Sequence, residues 1–112
     1  MERIVKFRKA ILQVMEEYAA ERQHSLQGIT FEIIADEKHD RYQLVMMGWD
    51  GEERVHSLLF HIDIVNGKIW VQEDNTEVGV ANLLTEKGIA KEDIVLAYFS
   101  EFHRQFTEFA VA

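Results

Sequence analysis

The chain has 112 residues, of which 47 % are hydrophobic and 11 % aromatic, and it contains neither proline nor cysteine. This length and apolar content predict one domain, spanning residues 1–112, with a packed core. The lack of cysteine excludes disulfides, thiolate zinc sites, iron–sulfur clusters and a cysteine nucleophile. Twelve basic and twenty acidic residues give a formal net charge of −8, so strong direct binding to nucleic acid is not expected.

Residues 2–23 have the pattern of a long amphipathic helix. Their apolar positions recur every three or four residues: Ile4, Phe7, Ile11, Met15 and Tyr18. This spacing places them on one helical face. Charged residues interrupt every turn, so the segment is neither a signal peptide nor a membrane-spanning helix, and a cytoplasmic protein without membrane association is expected.

The same helix carries a basic cluster, which consists of Arg3, Lys6, Arg8 and Lys9. We interpret it as a solvated helix face, and a small nucleic-acid contact is the alternative.

Four strands are predicted next, over residues 29–36, 41–49, 54–65 and 68–73. Asp50-Gly51 and Asn66-Gly67 are turn signals of tight hairpins, because these residue types accept positive backbone angles at low cost. Consecutive strands joined by short turns form an antiparallel meander. One face of the meander should meet the helix, and the other should meet water or a partner.

The C-terminal part is predicted to be shorter and helical. Residues 77–87 form a second helix, with Asp74 or Thr76 as its cap and Gly88 at its end. One helical turn follows at 91–93, the buried run 94–99 is strand or helix, and the apolar tail is docked. The fold class is therefore α+β: a long N-terminal helix, a four-stranded antiparallel meander sheet and a shorter C-terminal helical segment.

The segment from Arg41 to Asp74 contains an ordered set of short motifs. They are Gly48-Trp49-Asp50-Gly51, Arg54-Val55-His56, His61-Ile62-Asp63-Ile64 and Gly67-Lys68-Ile69-Trp70, followed by Thr76-Glu77, the run Asp93-Ile94-Val95-Leu96 and the terminal Thr107-Glu108-Phe109-Ala110-Val111. In this order and spacing they resemble the XisI-like family, the controlling factors of fdxN-element excision. The resemblance covers nearly the whole chain.

The resemblance implies a non-catalytic accessory or regulatory protein rather than an enzyme. Such factors act in heterocyst-forming cyanobacteria beside XisH and a site-specific recombinase to excise a DNA element. XisH-like proteins resemble restriction-type nucleases, so an XisH-like protein is the expected partner in excision or a related DNA-processing role. A homodimer is a further expectation, because a small sheet leaves an edge or a face to cover.

His61 and Asp63 lie two residues apart on the third predicted strand and therefore share a face. His56 points to the opposite face if the strand is regular, although a bulge would reverse this. A metal site needs three or four convergent ligands, so we interpret the pair as a hydrogen-bonded sheet pair with no metal and no cofactor. The alternative is a metal-assisted nuclease or hydrolase that uses the pair with Asp74 and Glu77.

Trp70 is the basis of the predicted interaction surface. Strand alternation places it on the polar face of Lys68, Gln72 and Asp74, and a large ring on a polar face is typical of a binding patch. The candidate surface comprises Trp49, Arg54, His56, His61, Asp63, Trp70, Asp74 and Glu77. Glu73 joins Asp74 and Glu77 in an acidic cluster, which we interpret as favouring the start of the second helix.

Overall fold

The computed structural model describes residues 2–24 and 27–112 of the chain. Its elements in chain order are α1 (Glu2–Gln23), β1 (Ile29–Asp36), β2 (Arg41–Asp50), β3 (Glu53–Val65), β4 (Lys68–Asp74), α2 (Val80–Glu86), a 3₁₀ turn (Lys91–Asp93), β5 (Ile94–Leu96) and α3 (Glu101–Arg104). The α+β class, the long N-terminal helix and the meander are confirmed. The predicted bounds of the first helix and first strand agree with the structure, and the next three strands differ by one residue at one end.

Five strands in the described residues form one sheet in the order β1-β2-β3-β4-β5. The first four are antiparallel neighbours, whereas β5 runs parallel to β4. The prediction of four strands therefore missed one strand. The run 94–99 supplies the extra strand, and it is parallel because the crossover through α2 returns the chain to the same end of the sheet.

One face of the sheet packs against α1 and α2 and forms the core. Its buried side chains are Phe7, Ile11, Met15 and Tyr18 from α1, Tyr42, Leu44, Phe60, Ile62, Ile69 and Val71 from the sheet, Val80 and Leu84 from α2, and Ile94 from β5. The rings of Tyr18 and Phe60 meet edge to face with centroids 5.9 Å apart, a favoured aromatic geometry. We call the opposite side of the sheet the outer face.

The second helix is shorter than predicted and begins at Val80 rather than at residue 77. Gly79 precedes it with φ of 84°, a left-handed conformation that interrupts a right-handed helix. Asp74 Oδ2 accepts the Val80 N–H at 2.8 Å, so this predicted cap acts on the first helical amide. At the other end, Gly88 has φ of 90° and provides the predicted left-handed stop.

A charged junction fixes the β1–β2 turn to the helix. Arg8 donates from Nε to Asp40 Oδ1 at 2.7 Å and from Nη2 to Asp40 Oδ2 at 3.1 Å. The Tyr42 hydroxyl donates to Asp40 Oδ1 at 2.9 Å. The Arg8 hydrogen bond holds the pKa of Asp40 below its usual value, and burial raises the pKa of Tyr42.

Candidate interaction surface

Strand β3 contains a bulge at Leu59. Its neighbours Leu58 and Phe60 pair with the consecutive residues Val45 and Leu44 of β2. One residue of β3 is therefore extra, and the alternation of its side chains changes sign at this point.

The bulge places His56 on the same face as His61 and Asp63. His56 lies opposite Met47 and His61 lies opposite Gln43, and these two partners share a face because they are four residues apart on β2. The strand is not regular, so the opposite-face placement does not hold and the reversal by a bulge, which the sequence left open, is observed. Four strand rises of about 3.3 Å still separate the two imidazoles, so they do not share a ligand.

A second bulge, at Gln72 of β4, divides the acidic cluster. Glu73 lies opposite His61 on the outer face, whereas Asp74 lies opposite Phe60, whose side chain is in the core. Asp74 is thus on the helix-covered side, and its placement on the same face as Trp70 is wrong. The cause is again one extra residue in a strand.

Asp63 is buried on the outer face and is satisfied by its neighbours. Its Oδ1 lies 2.8 Å from His61 Nε2, and its Oδ2 accepts from Gln72 Nε2 at 3.2 Å. Arg41 Nε is 3.8 Å away. The predicted His–Asp sheet pair is present, and its carboxylate is engaged in holding three strands together.

Trp70 lies opposite Asp63 on the outer face, but the C-terminal segment covers part of its ring. The guanidinium carbon of Arg104 is 5.3 Å from a ring centroid of Trp70. Arg104 also donates to the carbonyls of Phe99 and Val111 at 3.0 and 3.2 Å. One cation therefore joins the tail to the sheet, and Trp70 is a docking point within the chain as well as a candidate contact residue.

The tail closes the β5 edge. Ala110 forms a bridge with Val95, and its N–H donates to the Ile94 carbonyl at 2.8 Å. The prediction that the tail is docked rather than frayed agrees with these contacts.

Four aromatic residues of this docked segment remain exposed: Tyr98, Phe99, Phe102 and Phe106. We call them the aromatic surface. Phe102 and Phe106 are 65 % and 72 % exposed, and their ring centroids are 5.4 Å apart. Sequence reasoning missed this surface, because it treated the apolar tail as wholly docked. Their spacing of four residues in a short helical segment is the signal that could have revealed them.

Trp49 and Arg54 form the far end of the outer face. They pair across the β2–β3 hairpin, and the guanidinium carbon of Arg54 lies 5.4 Å from the Trp49 ring. Trp49 is 53 % exposed. Of the candidate surface, six residues therefore share the outer face by strand register, from Trp49 to Trp70.

Asp74 and Glu77 lie elsewhere. Besides capping α2, Asp74 Oδ1 accepts from the Thr76 amide and hydroxyl at 2.9 and 2.6 Å. Glu77 is exposed in the loop before α2. Of the three acidic residues that were interpreted as favouring the helix start, Asp74 alone bonds the first turn of α2, because Glu73 lies on the outer face.

The nuclease or hydrolase alternative requires His61, Asp63, Asp74 and Glu77 to converge. The structure places the first two on the outer face and Asp74 on the helix-covered side. Within residues 2–24 and 27–112, no three histidine, aspartate or glutamate side chains are close enough to hold a metal ion.

The basic cluster of α1 is largely engaged within the molecule. Arg3 pairs with Asp93 at 2.5 Å, and Lys6 donates to the Gly88 carbonyl at 3.0 Å. Arg8 belongs to the Asp40 junction. These three cations attach the helix to the rest of the domain.

The fold and the surface define a class: a small α+β domain with one sheet face under helices and the other bearing polar and aromatic side chains. The XisI protein family model matches residues 1–111, and the chain belongs to this family. Among curated proteins none matches. No helix of the described ranges combines the length and apolar character needed to cross a membrane.

Two solved structures show the same fold. A XisI-like protein from Anabaena variabilis is 33 % identical, with a TM-score of 0.87, and the match covers 97 % of this chain and 99 % of that one. The fdxN element excision controlling factor XisI from the same organism is 32 % identical, with a TM-score of 0.79, and the match covers 98 % and 99 %. The family resemblance inferred from the motifs is confirmed.

Proposed function

We propose that this protein is a non-catalytic accessory factor that regulates DNA-element excision, or a related DNA-processing reaction, by binding an XisH-like protein. Family membership and the similarity to an fdxN element excision controlling factor support a regulatory role in excision. Two properties of the molecule support binding to a partner: its exposed aromatic rings and its negative net charge.

The observation that carries the proposal is the aromatic surface. Phenylalanine rings that are 65 % and 72 % exposed, held on a docked segment, leave apolar area uncovered. Aromatic residues are enriched at protein interfaces and supply much of the binding energy there. The contact would combine these rings with the outer-face residues beside them, including Trp70.

Charge supports a partner that binds DNA. The chain has a net charge of −8, and Glu101, which precedes Phe102 in the sequence, is exposed. A nuclease-like protein presents a basic cleft to its substrate, and an acidic surface is electrostatically complementary to such a cleft. Occupation of that cleft would regulate access to DNA without any chemistry in this chain.

Calorimetry with a purified XisH-like protein tests the proposal. We expect association at micromolar concentration, weakened when the salt concentration is raised from 0.1 to 1 M. Replacing both Phe102 and Phe106 with alanine should raise the Kd at least about tenfold. Val5→Ala is the matched control, since Val5 is 59 % exposed but lies on α1.

Two results would overturn the proposal. One is no association between the parent proteins at micromolar concentration. The other is an equal effect of the Val5 and phenylalanine substitutions, which would show that the rings have no special role. Circular dichroism of each variant checks that it is folded.

A further inference from the structure

Strand β1 is a free edge of the sheet. In the described residues it has one neighbour, β2, and its eight residues pair in continuous register without a bulge. Proteins blunt such edges with lysine, proline, bulges or short strands. The sequence ITFEIIAD contains no lysine and no proline, so of such protections the strand itself carries only the charges of Glu32 and Asp36.

Hydrogen bonds define which backbone groups point outward. The Trp49 N–H donates to the Gly28 carbonyl at 2.9 Å, which marks these two residues as a hydrogen-bonded pair in line with the β1–β2 register. Because such pairs alternate along an antiparallel ladder, the N–H and C=O groups of Ile29, Phe31, Ile33 and Ala35 face away from β2.

Gln23 covers the first part of this edge. Its Nε2 donates to the Ile29 carbonyl at 2.6 Å, and its Oε1 accepts the Phe31 N–H at 3.1 Å. The side-chain amide thus takes the position of a neighbouring strand. The edge left open runs from the Phe31 carbonyl through Ile33 to Ala35.

Apolar side chains flank the open part on both sides of the sheet. Ile33 is 40 % exposed and lies opposite Leu44, on the helix-covered side. Ile34 is 52 % exposed and lies opposite Gln43, on the outer face. A strand added here would cover both isoleucines and satisfy the free backbone groups.

We propose that a second copy of this chain adds its own β1 to this edge, antiparallel and centred on Ile33. Each Ile33 N–H then donates to the Ile33 carbonyl of the other copy, and each Ala35 N–H donates to the other Phe31 carbonyl. These four bonds use groups that Gln23 leaves free.

Charge selects both the partner and the register. When the strand pair is centred on Ile33, Glu32 lies opposite Ile34 of the other copy and the two Ile33 side chains contact each other. Centring on Ile34 would place Glu32 opposite Asp36 twice, and like charges directly opposite are destabilising. Of these two registers, the one centred on Ile33 is therefore the one without facing like charges.

The opposite edge explains why the assembly stops at two copies. Strand β5 has three residues, and Ala110 covers it through the Val95 bridge. A twofold pairing through β1 uses the open edge of each copy. The closed β5 edges then leave no template for further strands.

Sedimentation velocity over a concentration series tests the interface with two variants of equal charge. Ile33→Lys places two lysines against each other, so the dimer Kd should rise at least about tenfold. Ile34→Lys places each lysine opposite Glu32, so the Kd should stay the same or fall a few-fold. Both side chains are exposed, and thermal melts verify that each variant is folded.

The dimer Kd values of these two variants distinguish the proposed register from other registers of the same two strands. A parent chain that is monomeric at about 100 μM, where a Kd in the micromolar range would give mostly dimer, overturns the proposal. An unchanged Kd for Ile33→Lys overturns it as well. Weakening by Ile34→Lys as large as that by Ile33→Lys would place the twofold axis elsewhere and reject the register.

Discussion

The two faces of the sheet are made by the same strands but have opposite characters. On the helix-covered face, Tyr42, Leu44 and Phe60 are fully buried under α1. On the outer face, the residues that alternate with them include polar, partly exposed side chains such as Gln43 and His61, although Val45 is apolar and buried. The comparison suggests that one face determines stability and the other is available for recognition, and substitutions can test this division.

The largest effect is expected from Phe60→Ala on the helix-covered face. Removing this ring loses its packing on Tyr18 and leaves a cavity, so the free energy of unfolding should fall by about 3–5 kcal/mol. Urea denaturation measures the change. Phe106→Ala is the control from the outer side, because this ring is exposed, and its effect should stay within about 0.5 kcal/mol. Similar losses for both variants would contradict the division.

Asp40→Asn tests the junction between α1 and the β1–β2 turn. It removes the charge that binds Arg8 and weakens the acceptor of the Tyr42 hydroxyl, so stability at pH 7 should fall by about 1–3 kcal/mol. The pKa of Asp40 is lowered by Arg8, so the charged form favours folding. Its contribution is present above the unfolded pKa near 3.8 and is lost as the pH falls through the lower folded pKa.

Urea denaturation of the parent and the Asn variant between pH 7 and pH 2 measures this dependence. The difference in stability should be constant down to about pH 5 and should shrink below about pH 4. Asp36→Asn is the control: the pKa of Asp36 is also lowered, by His39, but both side chains are exposed. A difference at Asp40 that grows towards low pH would show that the carboxylate has another role.

An outer-face carboxylate gives an intermediate case. Asp63→Asn leaves a buried amide beside His61 and Gln72 in place of the charge, so stability should fall by about 1–2 kcal/mol. Combining it with His61→Ala in a double-mutant cycle should give a coupling energy of about 0.5–1.5 kcal/mol. A coupling near zero would show that the short His61–Asp63 contact contributes nothing to stability.

Local signals were sufficient for most of the fold. The spacing of Phe7, Ile11 and Met15 predicted α1, and Asn66-Gly67, with φ of 50° and 75°, predicted the β3–β4 hairpin. The start of α2 was predicted three residues too early. Gly79 has a positive φ that ends the possibility of a helix there, but the residue type alone does not show whether a glycine adopts this conformation.

The surface was less predictable, since it depends on registers that arise between strands. The bulges at Leu59 and Gln72 reverse the alternation on which the assignments of His56 and Asp74 rested. A bulge is set by pairing with the neighbouring strand rather than by a residue type. The exposure of Phe102 likewise depends on how Arg104 anchors the tail over Trp70, a contact between segments distant in sequence.

The smallest effect is expected at the hairpin end of the outer face. Arg54→Ala removes a cation from the Trp49 ring. Because both side chains are exposed, the free energy of unfolding should fall by at most about 0.5–1 kcal/mol. Arg54→Lys keeps the charge and should recover part of the loss. A larger loss measured by urea denaturation would mean that this end of the outer face is structural. A small loss would mean that Trp49 and Arg54 contribute little to stability and are available for contact with a partner. This is the role that the comparison assigns to the outer face.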